Sequence, residues 1–298
     1  MMSGNNARAS RVVVLGATSQ ISRFLFRRLS AAGFIPIAVT RGRPTAFGLA
    51  AHVTQGLGEE DFVPPLPPSD VVVTTAPLTT IGSALAAARA CRARRIVAIG
   101  SMSIIAKASS GAPADRALVS GLAAAEARLA EEAAAMGASW TVLRPTMIYG
   151  AGTDRNVAFL ARFIRRTGFF PVPPGARGLR QPVHADDLAA AIVAATTAPG
   201  AENRAFSLGG AERIFYPDMV RRIFRAMGRT PRLLPVPGKA FRMAVNIGRI
   251  VPPLAFVGPE MVDRMYTDLV ADNDGAMRLL DYSPRGFEPD PEALGIAP

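Results

Sequence analysis

The chain has 298 residues, 49% of them hydrophobic and 19% charged, a composition that supplies a sizeable core and excludes an intrinsically disordered protein. Its single cysteine, Cys91, excludes an internal disulfide and a cysteine-rich zinc site, and we expect no metal. The formal net charge is +11, but the arginines are scattered and form no long basic block, so we expect no nucleic-acid partner.

Five short apolar runs have the near-continuous Val/Ile content of strands that are buried on both faces of a parallel sheet. They are Arg11–Leu15, Ile35–Thr40, Asp70–Thr75, Arg95–Ile99 and Trp140–Arg144. Helix patterns alternate with them, at Ile21–Ala32, Ile81–Arg92 and Gly121–Met136. This βαβα order predicts an α/β fold with a Rossmann-type doubly wound parallel sheet.

After Gly150 the strand signals become sparse and prolines become frequent. Helices are predicted at Asn156–Thr167, Asp186–Thr197, Pro217–Met227 and Pro259–Ala271, a turn-rich loop at Phe169–Gly178 and a short strand at Arg232–Val236. We expect residues 1–150, with 180–210 returning to them, to form the sheet domain. Residues 151–179 and 211–298 are expected to form a smaller, mostly helical region.

The stretch RVVVLGATSQIS joins the first strand to the first helix. Gly16 permits the sharp turn that cradles the pyrophosphate of a dinucleotide, while Ser19 and Ser22 stand where that motif has further glycines. The Ser19 hydroxyl could bond a phosphate oxygen, and the helix N-terminus offers free N–H groups. The residues predicted to bind the dinucleotide here are Gly16, Thr18, Ser19, Gln20 and Ile21.

Arg41 follows the second strand. An acidic residue at this place would bond the ribose 2′-hydroxyl of NAD, whereas an arginine suits the 2′-phosphate of NADP. We therefore predict that Arg41 binds the cofactor and that NADP(H) is preferred over NAD(H).

Several stretches together resemble the extended, or atypical, short-chain dehydrogenase/reductase superfamily, in its NAD-dependent epimerase/dehydratase group. They are VVVLGATSQIS, DVVVTTAP, RIVAIGSMS, AEARLAEEAAAMGASWTVLRPTMIYG and RQPVHADDLAAAIVAA. The resemblance covers nearly the whole chain. It implies a Rossmann domain, a smaller substrate-binding region, and an oxidoreductase or epimerase that acts on a sugar nucleotide or another hydroxy/keto substrate.

The resemblance also implies site residues. Those along the cofactor would be Thr75, Ala76, Pro77, Arg144, Pro145 and Thr146. Ser101 matches the catalytic serine of the family, with Ser103 as its rival, and Tyr149 would border the substrate. Arg180 would hold the diphosphate of a sugar nucleotide, because the arginine fork fits phosphate oxygens.

The acid/base pair of that family is absent from this chain. The pair is a tyrosine four residues before a lysine, whose charge lowers the pKa of the tyrosine towards neutrality. Leu118 and Leu122 occupy the two positions here, and no tyrosine has a lysine four residues later. The candidates for another proton donor are Ser101, Ser103, Tyr149 and Lys107.

Three interpretations stay open. The chain performs redox chemistry with another proton donor, or it binds NADP(H) without catalysis as a regulator or assembly subunit. The third is a ketone reductase for a membrane-lipid intermediate, with Ala240–Gly258 lying on an anionic surface.

The location is expected to be cytoplasmic. Ala240–Gly258 contains Arg242, Arg249 and two prolines, so we reject it as a membrane span, and the short apolar run Val12–Gly16 is no signal peptide. Peripheral contact with a membrane stays open. A homodimer that pairs through Ile81–Arg92 and Gly121–Met136 also stays open.

Overall fold

The computed structural model describes residues 10–40, 52–54, 66–240, 243, 262 and 264–296. Arg41 lies outside the described residues, as does nearly all of Ala240–Gly258. The chain divides into two compact units. Unit 1 contains Met1–Arg144, Asp186–Ser207 and Asn273–Tyr282, and unit 2 contains Pro145–Ala185, Leu208–Asp272 and Ser283–Pro298.

The described strands and helices are numbered in chain order. The strands are β1 (Arg11–Leu15), β2 (Ile35–Thr40), β3 (His52–Thr54), β4 (Val71–Thr74), β5 (Arg95–Ile99), β6 (Ser139–Pro145), β7 (Ile148–Tyr149), β8 (Phe170–Val172), β9 (Leu179–Arg180), β10 (Val183–His184), β11 (Arg204–Leu208), β12 (Ile214–Phe215) and β13 (Leu233–Pro235). The helices are α1 (Ser22–Ala31), α2 (Ile81–Cys91), α3 (Ser103–Ala106), α4 (Pro113–Ala135), α5 (Val157–Thr167), α6 (Ala185–Thr197), α7 (Tyr216–Ala226) and α8 (Asp274–Leu280).

A seven-stranded sheet has the order β11-β6-β5-β4-β1-β2-β3. The strands from β6 to β3 pair in parallel. The chain runs outward from β1 to β3 on one side and from β4 to β6 on the other, so the order reverses between β1 and β4. Ligands of such sheets bind at the carboxyl ends of the strands at this reversal. The doubly wound parallel sheet predicted from the sequence is confirmed.

Valine-rich strands form the centre of unit 1. Val12, Val13 and Val14 of β1 and Val72 and Val73 of β4 have no exposed surface, and the burial of each such side chain stabilises the fold by roughly 1.5–3 kcal/mol. Strands that are buried on both faces appear in the sequence as unbroken apolar runs. For this reason β1, β2 and β5 have the limits that the sequence predicts.

Other elements differ from the sequence prediction. Helix α4 begins at Pro113 rather than at Gly121, because proline favours the first turn of a helix. The helix predicted at Pro259–Ala271 does not extend to Ala271, since residues 265–271 form a turn and a bridge between Arg180 and Leu269. The loop predicted at Phe169–Gly178 contains β8, and the sequence did not predict β11.

Among its described residues, unit 2 contains three two-stranded sheets, in which β7 pairs with β10, β8 with β13 and β9 with β12. Helix α5 buries Val157, Leu160, Ala161 and Ile164, which lie on one face at helical spacing. Helix α7 also contributes to the core, which contains the aromatic side chains of Tyr149, Phe170, Tyr216, Phe224 and Phe287.

Candidate cofactor site and substrate cleft

The turn between β1 and α1 depends on Gly16. Its φ angle is +74°, and a Cβ atom added there would lie 2.6 Å from the backbone nitrogen of Ala76. Both the left-handed conformation and the close approach therefore require glycine. The result is that the turn lies directly against Thr75 and Ala76, at the carboxyl end of β4.

Three hydroxyl groups fix this turn. The Ser19 hydroxyl donates to Thr75 Oγ1 at 2.9 Å, the Ser22 and Thr75 hydroxyls are 3.0 Å apart, and Thr75 Oγ1 donates to the Gly16 carbonyl at 2.8 Å. Ser19 Oγ also accepts from the Ser22 amide. The hydroxyl proton of Ser19, which the sequence analysis assigned to a phosphate oxygen, is directed at Thr75 instead. The serines hold the turn to β4.

The backbone of the same turn presents free donors. The Ser19 amide donates to Gly16 and the Ser22 amide to Ser19, whereas the amides of Thr18, Gln20 and Ile21 have no acceptor among the described residues. The Gln20 Oε1 atom is buried and accepts no hydrogen bond from the described residues. Free amides at a helix N-terminus attract anions, so this turn fits the pyrophosphate of a dinucleotide.

The next candidate residues follow β5. Ser103 starts α3 and donates its amide to Ser101 Oγ at 3.1 Å. Both side chains are half-buried, and neither hydroxyl proton has an acceptor among the residues that the structure describes. Ser101 and Ser103 can therefore each donate a hydrogen bond to a ligand.

Helix α4 carries Leu118 and Leu122, the two residues at which the resemblance would place the tyrosine–lysine pair. Leu118 is 37% exposed, whereas Leu122 is 5% exposed and belongs to the core of unit 1. The two leucines present only apolar atoms, so this helix surface supplies no proton donor from either position.

Lys107, another candidate proton donor, forms an ion pair. Its Nζ atom lies 2.7 Å from Asp115 Oδ1, and the two side chains are 16% and 13% exposed. Asp115 Oδ2 accepts from the Ser110 hydroxyl at 2.9 Å. The pair connects the segment after α3 to the first turn of α4.

The residues at the end of β6 have partners of their own. Arg144 forms a bidentate salt bridge with Glu126 of α4, in which Nε lies 2.9 Å from Oε1. Arg144 is the last residue of the first segment of unit 1. Pro145 is buried. Thr146 donates its amide to the Leu208 carbonyl and its hydroxyl to the Gln181 carbonyl, both within unit 2.

Tyr149 lies in the core of unit 2. Its side chain is 1% exposed, its hydroxyl donates to the Gly286 carbonyl at 3.4 Å, and its ring meets His184 and Phe287 edge-on, with ring centres 5.1 and 5.0 Å away. A side chain packed in this way has no free surface for a ligand. The geometry does not support the catalytic and substrate-contacting roles predicted for Tyr149.

Arg180 is also buried, at 2% exposed. It donates to the carbonyls of Leu179 at 2.7 Å, Thr267 at 2.9 Å and Arg264, and it lies over the Tyr216 ring. Burial lowers the pKa of Arg180 to about 10. The guanidinium thus holds backbone segments together, and the geometry does not support its predicted role in binding a diphosphate.

Unit 2 has an open cleft of about 460 Å³. It lies between the PVPPGAR loop, the start of α7 and β13, and its lining includes Arg177, Arg221, Phe215 and Leu234. Arg221 pairs with Asp218 at 2.6 Å, whereas Arg177 is exposed and has no partner among the described residues. The sequence predicts a diphosphate-binding role for Arg180, but Arg180 is buried whereas Arg177, three residues earlier, is exposed in the cleft.

The described residues contain neither a metal-binding cluster nor a membrane-spanning helix. No group of three His, Cys, Asp or Glu side chains there could hold a metal ion. Within the same residues, every helix is too short or too polar to span a bilayer.

Residues 82–209 match the model of the NAD dependent epimerase/dehydratase family. UDP-glucose 4-epimerase of Vibrio cholerae is 27% identical over 145 residues, which are 48% of this chain and 41% of that protein. Subunit 9 of the NADH dehydrogenase (ubiquinone) 1 alpha subcomplex of Arabidopsis thaliana, a mitochondrial protein, is 29% identical over 154 residues, 48% of this chain and 38% of that protein. The chain thus matches about two fifths of the length of each relative.

Among solved structures, UDP-glucose 4-epimerase of Thermotoga maritima with UDP-glucose superposes with a TM-score of 0.70, over 96% of both chains and at 17% identity. At that identity the likeness concerns the fold. The family match confirms the resemblance to the NAD dependent epimerase/dehydratase family that was inferred from the sequence, and the structural likeness confirms the fold.

Proposed function

We propose that this chain binds a nicotinamide dinucleotide at the turn between β1 and α1 and acts as an epimerase-like oxidoreductase on a sugar nucleotide or another hydroxy/keto substrate. The observation that carries the proposal is the turn itself. The amides of Thr18, Gln20 and Ile21 have no acceptor among the described residues, and an anion is their natural partner. The family match, to proteins described as NAD dependent, supports the same ligand.

The rest of the cofactor would extend along the carboxyl ends of the strands. Thr75, Ala76 and Pro77 follow β4 beside the turn, and the resemblance assigns Arg144, Pro145 and Thr146 to the nicotinamide end. The buried Gln20 Oε1 offers an acceptor for a hydroxyl of the cofactor. We keep Arg41 as the residue that selects NADP(H) over NAD(H), because an arginine at this place suits the 2′-phosphate.

The substrate would bind in the cleft of unit 2. Its volume, about 460 Å³, lies within the range of small-molecule sites. Arg177 and Arg221 offer cations for a diphosphate, and Phe215 offers an exposed ring for a base. The relatives that act on UDP-glucose support a sugar nucleotide as the substrate class. In this proposal Arg177 takes the role that the sequence analysis gave to Arg180.

The bound nicotinamide would supply or accept a hydride at a carbinol carbon. The chain would contribute hydrogen bonds to the oxygen on that carbon, and Ser101 is the first candidate because its hydroxyl proton is free of described acceptors. Ser103 is the second candidate for the same reason. A hydroxyl that polarises the oxygen stabilises the charge that develops there.

A second candidate function is a non-catalytic NADP(H)-binding subunit. It is favoured by Leu118 and Leu122, which leave α4 without an acid/base pair, and by the relative named as a subunit of an NADH dehydrogenase complex. The lipid reductase has no support among the described residues, since Ala240–Gly258 lies almost entirely outside them. We propose a cytoplasmic location, and we leave peripheral membrane contact and a homodimer open.

The experiment that tests the proposal is a titration of the protein with NADPH and with NADH, followed by nicotinamide fluorescence. We expect saturable binding, tighter for NADPH. Gly16→Ala should weaken it by about tenfold or more, the effect of 1.4 kcal/mol, because its Cβ would collide with Ala76. Gly121→Ala is the matched control, since its Cβ meets only Thr79, at 3.6 Å. If neither nucleotide binds, the proposal is wrong.

Turnover separates the two candidates. Protein saturated with oxidised cofactor is incubated with UDP-glucose and UDP-N-acetylglucosamine, and the products are separated by chromatography. A new sugar nucleotide that disappears with Arg177→Ala supports the enzyme, whereas tight cofactor binding without any product supports the non-catalytic subunit.

A further inference from the structure

Lysine is rare in this chain, with Lys107 and Lys239 as its two examples among 34 lysines and arginines. Arginine binds the carboxylates of Asp186, Glu126, Glu212 and Glu132. An arginine fork is the better partner for a carboxylate when the purpose is to hold two elements together. The mostly buried ion pair of Lys107 and Asp115 is an exception to this pattern. We therefore expect it to have a role other than holding two elements together.

A lysine ammonium differs from a guanidinium in two ways. It is a compact charge with three donors, and it can release a proton, which an arginine in a protein does not do. Asp115 takes one donor of Lys107. The remaining donors have no acceptor among the described residues, so they are available to a ligand.

The position of the pair follows from the topology. Helix α4 connects β5 to the parallel strand β6, so its first turn lies at the carboxyl edge of the sheet. This is the edge at which the β1–α1 turn and the end of β4 meet. Asp115, Leu118 and Leu122 are spaced by three and four residues on α4 and therefore share one face. The Lys107 ammonium lies at the N-terminal end of the face that lacks the tyrosine and the lysine.

We propose that Lys107, oriented by Asp115, is the cation of the cofactor site and takes over the part of the lysine that is missing at Leu122. The proposal rests on the proposed binding of a nicotinamide dinucleotide. Lys107 contacts the cofactor or the oxygen of the reacting carbon, and Asp115 is a positioning residue. Its carboxylate holds the side chain of Lys107 against α4 and balances the charge of the ammonium.

This assignment supplies the missing proton. When a carbonyl substrate accepts a hydride from reduced nicotinamide, the C–H bond forms and the carbonyl π bond breaks. The oxygen then takes a proton from the Lys107 ammonium, and the resulting amine regains one from water. In this step the substrate would be reduced to the alcohol, and a bound nicotinamide would supply the hydride and become oxidised.

The scarcity of lysine makes a direct test practical. Reductive methylation with ¹³C-formaldehyde labels Lys107, Lys239 and the N-terminal amine, and the variants Lys107→Arg and Lys239→Arg assign the signals. The labelled protein is then titrated with NADPH while nicotinamide fluorescence reports binding. We expect the Lys107 signal to move in proportion to bound NADPH and the exposed Lys239 to stay unchanged. Asp115→Asn should make the Lys107 response smaller.

Each outcome decides a separate point. Bound NADPH with an unmoved Lys107 signal overturns the assignment of Lys107 and leaves the proposed function intact. Absence of NADPH binding overturns the proposed function, and the assignment with it. An Asp115→Asn protein with an undiminished Lys107 response shows that Asp115 does not position the lysine. A structural role of the pair alone would change the unfolding midpoint in Asp115→Asn without any NADPH-dependent signal in the parent protein.

Discussion

The Ser19 hydroxyl donates to the Thr75 hydroxyl at 2.9 Å, and this hydrogen bond joins the turn between β1 and α1 to the residue that follows β4. Thr75 also bonds Ser22 and Gly16. The turn of the proposed dinucleotide site is thus fixed by side-chain hydroxyls, two of which, those of Ser19 and Ser22, stand where the usual motif has glycines.

Replacement of Thr75 by valine keeps the shape of the side chain and removes its hydroxyl. We expect Thr75→Val to lower the free energy of unfolding by about 1–3 kcal/mol, because buried hydroxyls lose their partner. NADPH binding should weaken as the turn loosens. Urea unfolding and fluorescence titration measure the two effects, with the exposed Thr79→Val as control. Unchanged stability in Thr75→Val would contradict a structural role of the hydroxyl cluster that Ser19, Ser22 and Thr75 form.

Of the two substitutions that would restore the tyrosine–lysine pair, we expect only the one at Leu122 to destabilise the protein strongly. Leu122→Lys places an ammonium in the core of unit 1 and should reduce the free energy of unfolding by several kcal/mol. Leu118→Tyr, at an exposed position, should change it by less than about 0.5 kcal/mol. Urea unfolding of the single variants provides the comparison. Equal stability of the two variants would refute the burial of Leu122.

Replacement by alanine is expected to lower the stability of the protein at Arg180 and to weaken ligand binding at Arg177. Arg180→Ala leaves carbonyl groups without their donor and should destabilise the protein by about 3 kcal/mol or more. Arg177→Ala should leave stability within about 0.5 kcal/mol and weaken the binding of UDP, measured by calorimetry. If Arg177→Ala binds UDP like the parent protein, the cleft is not the diphosphate site.

The pH dependence of the free energy of unfolding should show the contribution of ionised Glu132. Hydrogen bonds from Arg128, together with Arg89, hold the pKa of Glu132 below its usual value of 4.5. Because the pKa in the folded state lies below that in the unfolded state, Glu132 stabilises the fold above about pH 4.5 and loses this effect as the pH falls through the lower, folded-state pKa.

The difference in unfolding free energy between the parent protein and Glu132→Gln should therefore be present at pH 7 and shrink below pH 4.5. The exposed Glu131 has no partner among the described residues, and Glu131→Gln serves as control. A difference that stays constant down to pH 3 would show that the ionised form of Glu132 does not stabilise the fold.

The sheet could be predicted from the sequence because its central strands are unbroken apolar runs, as in β1 and β5. The β1–α1 turn could be predicted as well, since Gly16 has a conformational requirement that only glycine meets without strain. Strand β11 could not be predicted, because its residues RAFSL have no continuous apolar pattern. The sequence also gives no sign that Asn273–Tyr282 belongs to unit 1, because that association depends on contacts between distant parts of the chain.

The sequence predicts which types of residue the candidate site contains, but it does not predict which of them are exposed to a ligand. The resemblance predicts functional roles for Tyr149 and Arg180, yet both are buried in unit 2 and bonded to backbone carbonyls. Arg177, only three residues before Arg180 in the printed sequence, is exposed in the cleft. Which of two neighbouring arginines points to solvent depends on strand pairing and on the packing of Tyr216, and neither can be read from local sequence.

The hydroxyl cluster has a consequence for the rate and strength of ligand capture. Since Ser19, Ser22 and Thr75 already bond one another and Gly16, the turn is ordered by the fold before any ligand arrives. A pre-organised receptor loses little conformational entropy on association. Binding at this turn should therefore occur in a single fast step, and the protein should distinguish ligands by the fit of their phosphates to a rigid frame.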